Sequence, residues 1–408
     1  MAEGLLIMNS HPMSWTPDDL VNTQDSAGPA QHVTQVGDQG AAEVRSALKK
    51  FRELGLSPDA VTQESFPLPT IQAQLTSACI DIHQGRGFSI VRGIDPREYT
   101  AEDNMIIFLA ISSYIGEQRG IQDKKGTMLS RLLSSLAWHC DMGADILALH
   151  ARSLAETGGN TFVASSWTIY KELAASYPEA LETLHHPSWP IQVSGNPPRY
   201  IVAPLLHVSE DKILISVDPG RLGLHPATAK TGSESSVPAL SPLQLNSLEI
   251  LSALASKHQY CLDLKQGDMV FINNLSLLHA RDSYVDPSDG PGRHFVRLWL
   301  RNSKLAWTIP QPMRVPWEAA FGPDGNGFPE LEKQYPVKPT PVYKPPKYTA
   351  GSAAFVLDDG GDVNNQTNSG STAIALINQN IVWMTNAEFP PMRYRPPAPK
   401  RQGLKEVI

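Results

Sequence analysis

The chain of 408 residues has little cysteine, little charge and no long apolar run. Its three cysteines (Cys79, Cys140, Cys261) lie far apart with no Cys-x-x-Cys pair, which argues against a disulfide framework and against a thiolate zinc site, and points to a reducing compartment. Apolar residues never approach the roughly 18 in succession that a membrane span needs. Near the start, the run Gly4 to Met8 is far shorter than a signal-peptide core. Neither secretion nor membrane insertion is expected, and the expected location is cytoplasmic. Charged residues make up only 18%, 34 basic against 41 acidic, for a net charge of −7, and no Lys/Arg-rich stretch offers a nucleic-acid footprint. With 41% hydrophobic residues the chain can bury a sizeable core.

What the sequence does have is proline, 34 in all, concentrated late. From Pro310 onward the text becomes Pro-Gln-Pro, then Lys338-Pro339-Thr340-Pro341 and Lys344-Pro345-Pro346, followed by a Gly/Asn/Asp-rich patch from Asp358 to Gly370. This tail lacks helical periodicity and is expected to wrap the core as extended or irregular chain, docking through the short apolar pieces 374–377 and 381–384. The domain reading is an N-terminal extension over 1–70, a main domain over 71–310 and a Pro-rich extension over 311–408. Before the tail, Ser241-Pro242 opens a helix with apolar positions at Leu248, Leu251, Leu254 and Ala255. A second helix begins near Ser166, and Pro178 is placed to split it. Short strand signals occur at Phe88–Val91, Ile146–Leu149, Ile213–Val217, Met269–Ile272 and Phe295–Leu300. Together they predict a mainly β sandwich or barrel with helices outside.

Chemistry concentrates in three places. Trp138-His139-Cys140-Asp141 puts a His and an Asp two residues apart, which on extended chain shares one face with about 6.5 Å between them, a separation one metal ion can bridge. His279 closes a long apolar stretch that starts at Gly267-Asp268, and an imidazole there needs a specific partner. On the next strand, alternation sets Arg293, Phe295, Arg297 and Trp299 against Val296, Leu298 and Leu300, so buried guanidinium groups call for an anion. Two His and one carboxylate leave open positions on Fe(II), as in non-haem oxygenases. A zinc hydrolase on the same ligands, or a jelly-roll module that binds metal without catalysis, are the competing readings; the first lacks a Glu placed as general base and the second fits poorly with a complete ligand set. Cys140, between two ligands, reads as a packing residue. The Asn274-Leu-Ser sequon and the tryptophans other than Trp138 read as carrying no site role.

In order, Trp138-His139-Cys140-Asp141, Glu156-Thr157-Gly158-Gly159-Asn160-Thr161, Gly267-Asp268 leading to His279, and Arg293 through Arg297 resemble the Fe(II)/2-oxoglutarate-dependent dioxygenases of the taurine dioxygenase and clavaminate synthase-like superfamily, more narrowly its fungal members, over residues 80 to 310. The resemblance implies a double-stranded β-helix, a cupin-like jelly roll with surrounding helices. It implies His139, Asp141 and His279 as iron ligands, with Fe(II), 2-oxoglutarate and O2 as cofactor and co-substrates. Thr161 and Arg293 match the positions that hold the distal carboxylate of 2-oxoglutarate, and Arg297 a position that meets an acidic group on the substrate or shares the 2-oxoglutarate carboxylate. The expected reaction is oxidation of a C–H bond of a small substrate, an amino acid or secondary-metabolite intermediate, by hydroxylation, desaturation or ring closure. A small molecule is the expected partner, and a homo-oligomer is left open.

Overall fold

The computed structural model describes residues 11–22, 31–123, 125–132, 136–192, 200–209, 212–223, 237–325 and 327–337. In chain order the strands are β1 (Val33–Gln35), β2 (Phe88–Arg92), β3 (Gln118–Gly120), β4 (Leu129–Leu132), β5 (Leu136–His139), β6 (Ile146–Ser153), β7 (Thr157–Gly158), β8 (Thr161–Ser165), β9 (Trp189–Gln192), β10 (Tyr200–Ala203), β11 (Leu206–Ser209), β12 (Lys212–Ile215), β13 (Tyr260–Leu262), β14 (Met269–Asn273), β15 (Leu277–Arg281), β16 (Tyr284–Val285) and β17 (His294–Arg301). The larger sheet runs β1-β2-β14-β6-β17-β3, with β4 also paired to β17, and the smaller runs β13-β8-β15-β5. These sheets form the jelly-roll core, and side chains of both converge on Asp141.

The larger sheet is buried on both faces for a reason visible in its strands. On β6 and β17, Ile146, Ala148, Leu298 and Leu300 face a helical layer, while the alternate residues Arg297 and Trp299 reach the other side, toward Asp141. That layer consists of α2 (Gly37–Glu53), α3 (Gln72–Gln84) and α4 (Ala101–Ser113), which follow the short α1 (Pro17–Asn22). Val44, Leu48 and Phe51 of α2 repeat at helical spacing and are buried with Leu75, Ile82, Phe108 and Ile111 in one cluster. The segment set apart as an N-terminal extension thus contributes β1, paired parallel to β2, and α2 to this sheet and core.

On the other side, α5 (Ser166–Ser176) is capped by the Ser165 hydroxyl, which accepts from Thr168 N, and ends at Tyr177, just before Pro178 opens α6 (Pro178–His185). The predicted break at Pro178 is present. In α7 (Pro242–Lys257) the Ser241 hydroxyl accepts from Gln244 N at 3.2 Å while Gln244 Oε1 accepts from Ser241 N at 2.9 Å, a reciprocal cap.

The tail departs from the expected irregular chain between 315 and 321, where α8 (Val315–Phe321) forms with Pro316 in its first turn, a position at which proline costs no helix hydrogen bond. Phe321 packs over Gly120 of β3, and further on Gln334 O accepts from Met128 N at 2.9 Å. The proline runs at 338–346, the patch at 358–370 and the apolar pieces at 374–377 and 381–384 lie outside the described residues. No helix among the described residues is long and apolar enough to cross a membrane.

Candidate active site

His139 ends β5 and His279 sits in β15, and the antiparallel register sets the two directly opposite each other. Their rings lie 4.1 Å apart between centroids. Asp141, two residues past His139, completes a buried group whose donor atoms all fall within 4.8 Å of one another, with Oδ1 at 3.5 Å from His139 Nε2 and 3.8 Å from His279 Nε2. His139 Nδ1 lies 2.7 Å from Ala137 O; with Nδ1 as donor, Nε2 keeps its lone pair for a metal.

Asp141 divides its oxygens between two tasks. Oδ2 accepts from Arg297 Nη1 at 2.9 Å and from Trp299 Nε1 at 2.7 Å. Oδ1, equally buried, has no hydrogen-bond partner among the described residues. A buried carboxylate oxygen facing two imidazole nitrogens is the donor set of a divalent ion held from one side, so these residues fit Fe(II). Burial opposes ionisation of Asp141, yet the Arg297 guanidinium beside it holds its carboxyl well below the usual carboxylate range. Burial, then the neighbouring His139, pushes His279 well below the usual histidine value, which favours the neutral form that can bind a metal.

The turn carrying Asp141 is pinned by Asn274. Its Oδ1 accepts from Asp141 N at 2.8 Å, and its Nδ2 donates to the carbonyls of Asp141 and Ala144, each at 2.7 Å. The sequence marks Asn274 only as a sequon and Trp299 only as packing, whereas both hydrogen-bond Asp141. Trp138, by contrast, turns its indole to Ser256. Cys140 is buried with its sulfur toward Leu277 O, and burial pushes its thiol up to about 12, the inert residue its place between two ligands predicts.

A second cluster lies at the other end of β15. Thr161, which opens β8, is 4% exposed and pairs in register with Arg281, which places both on the same face as His279. Arg293 is buried, its guanidinium carbon 3.8 Å from the Phe295 ring centre and 5.5 Å from that of Tyr284. Burial, then the charge of Arg281, pushes Arg293 down to about 9. Gly159 has φ +71°, and a Cβ there would come within 2.9 Å of Arg293 Nε, so the Gly-Gly pair before Thr161 is what lets the chain pass this side chain.

The structure therefore brings His139, Asp141 and His279 together, and sets Thr161 and Arg293 in a neighbouring cluster. Arg297 belongs with the triad: Nε bonds Gln122 Oε1 and Ser130 Oγ, and Nη1 bonds Asp141, which leaves only Nη2 outside these contacts. Arg281 and Arg221, both buried, were passed over in the sequence. The period-two argument that joined His139 to Asp141 would have found Arg281, two residues past His279. Nothing local marks Arg221, whose buried charge reaches the site only through the fold.

The chain is similar to known proteins of one family. The model of the family described as "Taurine catabolism dioxygenase TauD, TfdA family" matches residues 50–299. The chain is 30% identical over 340 residues to the taurine hydroxylase-like protein SAT17 of Stachybotrys chartarum, covering 76% of this chain and 84% of that one. It is 26% identical over 305 residues to the FR-33289 synthase of Streptomyces rubellomurinus, covering 66% of this chain and 86% of the other. An asparagine oxygenase solved with Fe(II), (2S,3S)-3-hydroxyasparagine and succinate shares the fold at TM-score 0.52 and 15% identity, over 66% of this chain and 93% of that one. With a family match over the catalytic core and a buried His-Asp-His group that fits the metal, this chain belongs to the TauD/TfdA dioxygenase family and is an Fe(II)- and 2-oxoglutarate-dependent oxygenase.

Proposed function

We propose that the enzyme oxidises an unactivated C–H bond of a small, anion-bearing molecule, an amino acid or an intermediate of secondary metabolism, with hydroxylation as the default outcome. In this reading His139, Asp141 and His279 hold the iron, Thr161 and Arg293 hold the far carboxylate of 2-oxoglutarate, and Arg297 offers Nη2 to a carboxylate of the substrate. The observation that carries the reading is the bare Oδ1 of Asp141 facing two imidazoles inside a sealed core. A relative named as a synthase of one specific compound supports a biosynthetic role.

Bound iron with 2-oxoglutarate and O2 supplies the oxidising power, at the expense of decarboxylating 2-oxoglutarate to succinate and CO2. The chain's own part is positioning. Arg297 and Trp299 fix Asp141 in one rotamer, and the Ala137 carbonyl fixes the His139 tautomer. Val163, directly opposite His279 in register, and Trp299 are both buried and would help keep water from the site.

The test is succinate release from protein prepared anaerobically, given Fe(II) and 2-oxoglutarate, then oxygen, across a panel of amino acids and small organic acids. Succinate should form with the wild type and be lost in His139→Ala and Arg293→Ala. No succinate on any member of a broad panel, including slow release without substrate, would overturn the reading.

A further inference from the structure

Among the described residues, Arg281 is a buried cation that makes no ion pair, its adjacent Asp282 acting on it only at a distance. It is 6% exposed, and its Nε, Nη1 and Nη2 make no hydrogen bond. The acids nearest in sequence are engaged elsewhere: Asp282 binds Asn160 through both oxygens, and Asp286 accepts from Arg293 N. Its one aromatic contact is the Tyr284 ring, 5.5 Å from its guanidinium carbon, the same ring that Arg293 approaches at 5.5 Å. Burying a fixed charge with three unmet donor nitrogens is costly, and the planar fork of a guanidinium matches a carboxylate.

Its direction follows from register. Arg281 lies opposite Thr161, and directly opposed residues on an antiparallel pair point to one side with Cβ atoms about 5 Å apart. Two residues back on the same strand is His279, so the iron group, Thr161 and Arg281 share one face of the smaller sheet. We propose that Arg281 is a second guanidinium of the co-substrate pocket: with Arg293 and Thr161 it holds the far carboxylate of 2-oxoglutarate, and so sets the preference for a dicarboxylate over a monocarboxylate 2-oxo acid. This rests on the reading of Thr161 and Arg293 given above.

The test measures binding, not turnover. Protein loaded with Mn(II) in place of iron is titrated by calorimetry, without oxygen, with 2-oxoglutarate and with 2-oxobutyrate, which keeps the 2-oxo acid end but lacks the far carboxylate. Arg281→Met should weaken 2-oxoglutarate about tenfold or more and move 2-oxobutyrate by less than about twofold, and Arg281→Lys should recover part of the loss. Without ligand, the thermal midpoint of Arg281→Met should equal or exceed that of the wild type, since an unmet buried charge is gone. Should the Met variant not fold, Arg281→Gln gives the same comparison. Unchanged 2-oxoglutarate affinity, or equal loss for both acids, overturns the inference. Loss in Arg293→Met without loss in Arg281→Met overturns it alone, whereas no loss in either variant overturns the pocket reading with it.

Discussion

The indole nitrogen of Trp299 sits 2.7 Å from Oδ2 of Asp141, and with Arg297 it occupies one oxygen so that the other faces the two histidines alone. The carboxylate is thereby committed to a single orientation before any ion arrives. Trp299→Phe keeps the aromatic bulk and removes that donor. Fe(II) affinity should fall about tenfold, with Arg297 still holding Oδ2, while the fold is retained. Anaerobic metal titration of both proteins checks this.

Asn274 acts on the backbone of the same turn. Asn274→Ala strips three buried hydrogen bonds and leaves the Asp141 N–H and the Ala144 carbonyl without those partners, while Asp141 O keeps only Ala144 N, so stability should drop by roughly 2–4 kcal/mol, read as a lower midpoint in denaturant at unchanged slope. Iron binding should weaken as well.

Gly159 is conformationally committed. Ala at this position meets a φ of +71° and drives its Cβ toward Arg293 Nε. Gly159→Ala should lower kcat/KM for 2-oxoglutarate about tenfold or more, chiefly through KM, because the displaced side chain is the proposed carboxylate anchor. Steady-state kinetics with 2-oxoglutarate varied is the measurement.

Asp145 gives a pH signature separate from the ligands. Burial raises its carboxyl to about 6, against the pull of Arg301 at 3.0 Å. A raised folded value means that the native state holds the proton more tightly than the unfolded chain. Its contribution is therefore fully present below the unfolded value, about 4, and is lost as pH rises through about 6. Asp145→Asn should remove that fall, so the difference in stability between wild type and variant should change between pH 4 and 6 and level off above. Denaturant melts across that range test it.

Much of this site could be read from sequence where a single period sufficed. Strand alternation joined His139 to Asp141, and it put Arg297 and Trp299 on one face of β17, where the structure has both. The same rule applied to β15 reaches Arg281, two residues past His279. What local pattern could not supply were contacts made across the fold. Asn274 meets Asp141 from 133 positions away, and no feature of Asn-Leu-Ser separates a surface sequon from a buried clamp. In the tail, proline content suggested irregular chain, but Pro316 falls in the first turn of α8, where its missing N–H costs nothing. β1 and α2 carry no motif: β1 is placed by its parallel pairing with β2, and α2 by a packing cluster that draws on residues from Val36 to Leu300.

The pairing of His139 with His279 joins strands far apart along a chain whose described cysteines are all free. An ion seated there ties the two halves of the core together and has no equivalent site in the unfolded chain, so it stabilises by mass action, about 2.7 kcal/mol at a free concentration one hundred times Kd. Iron supply would then govern how much folded enzyme persists as well as how fast it turns over: starved of metal, the protein should become a better substrate for proteases as it loses turnover.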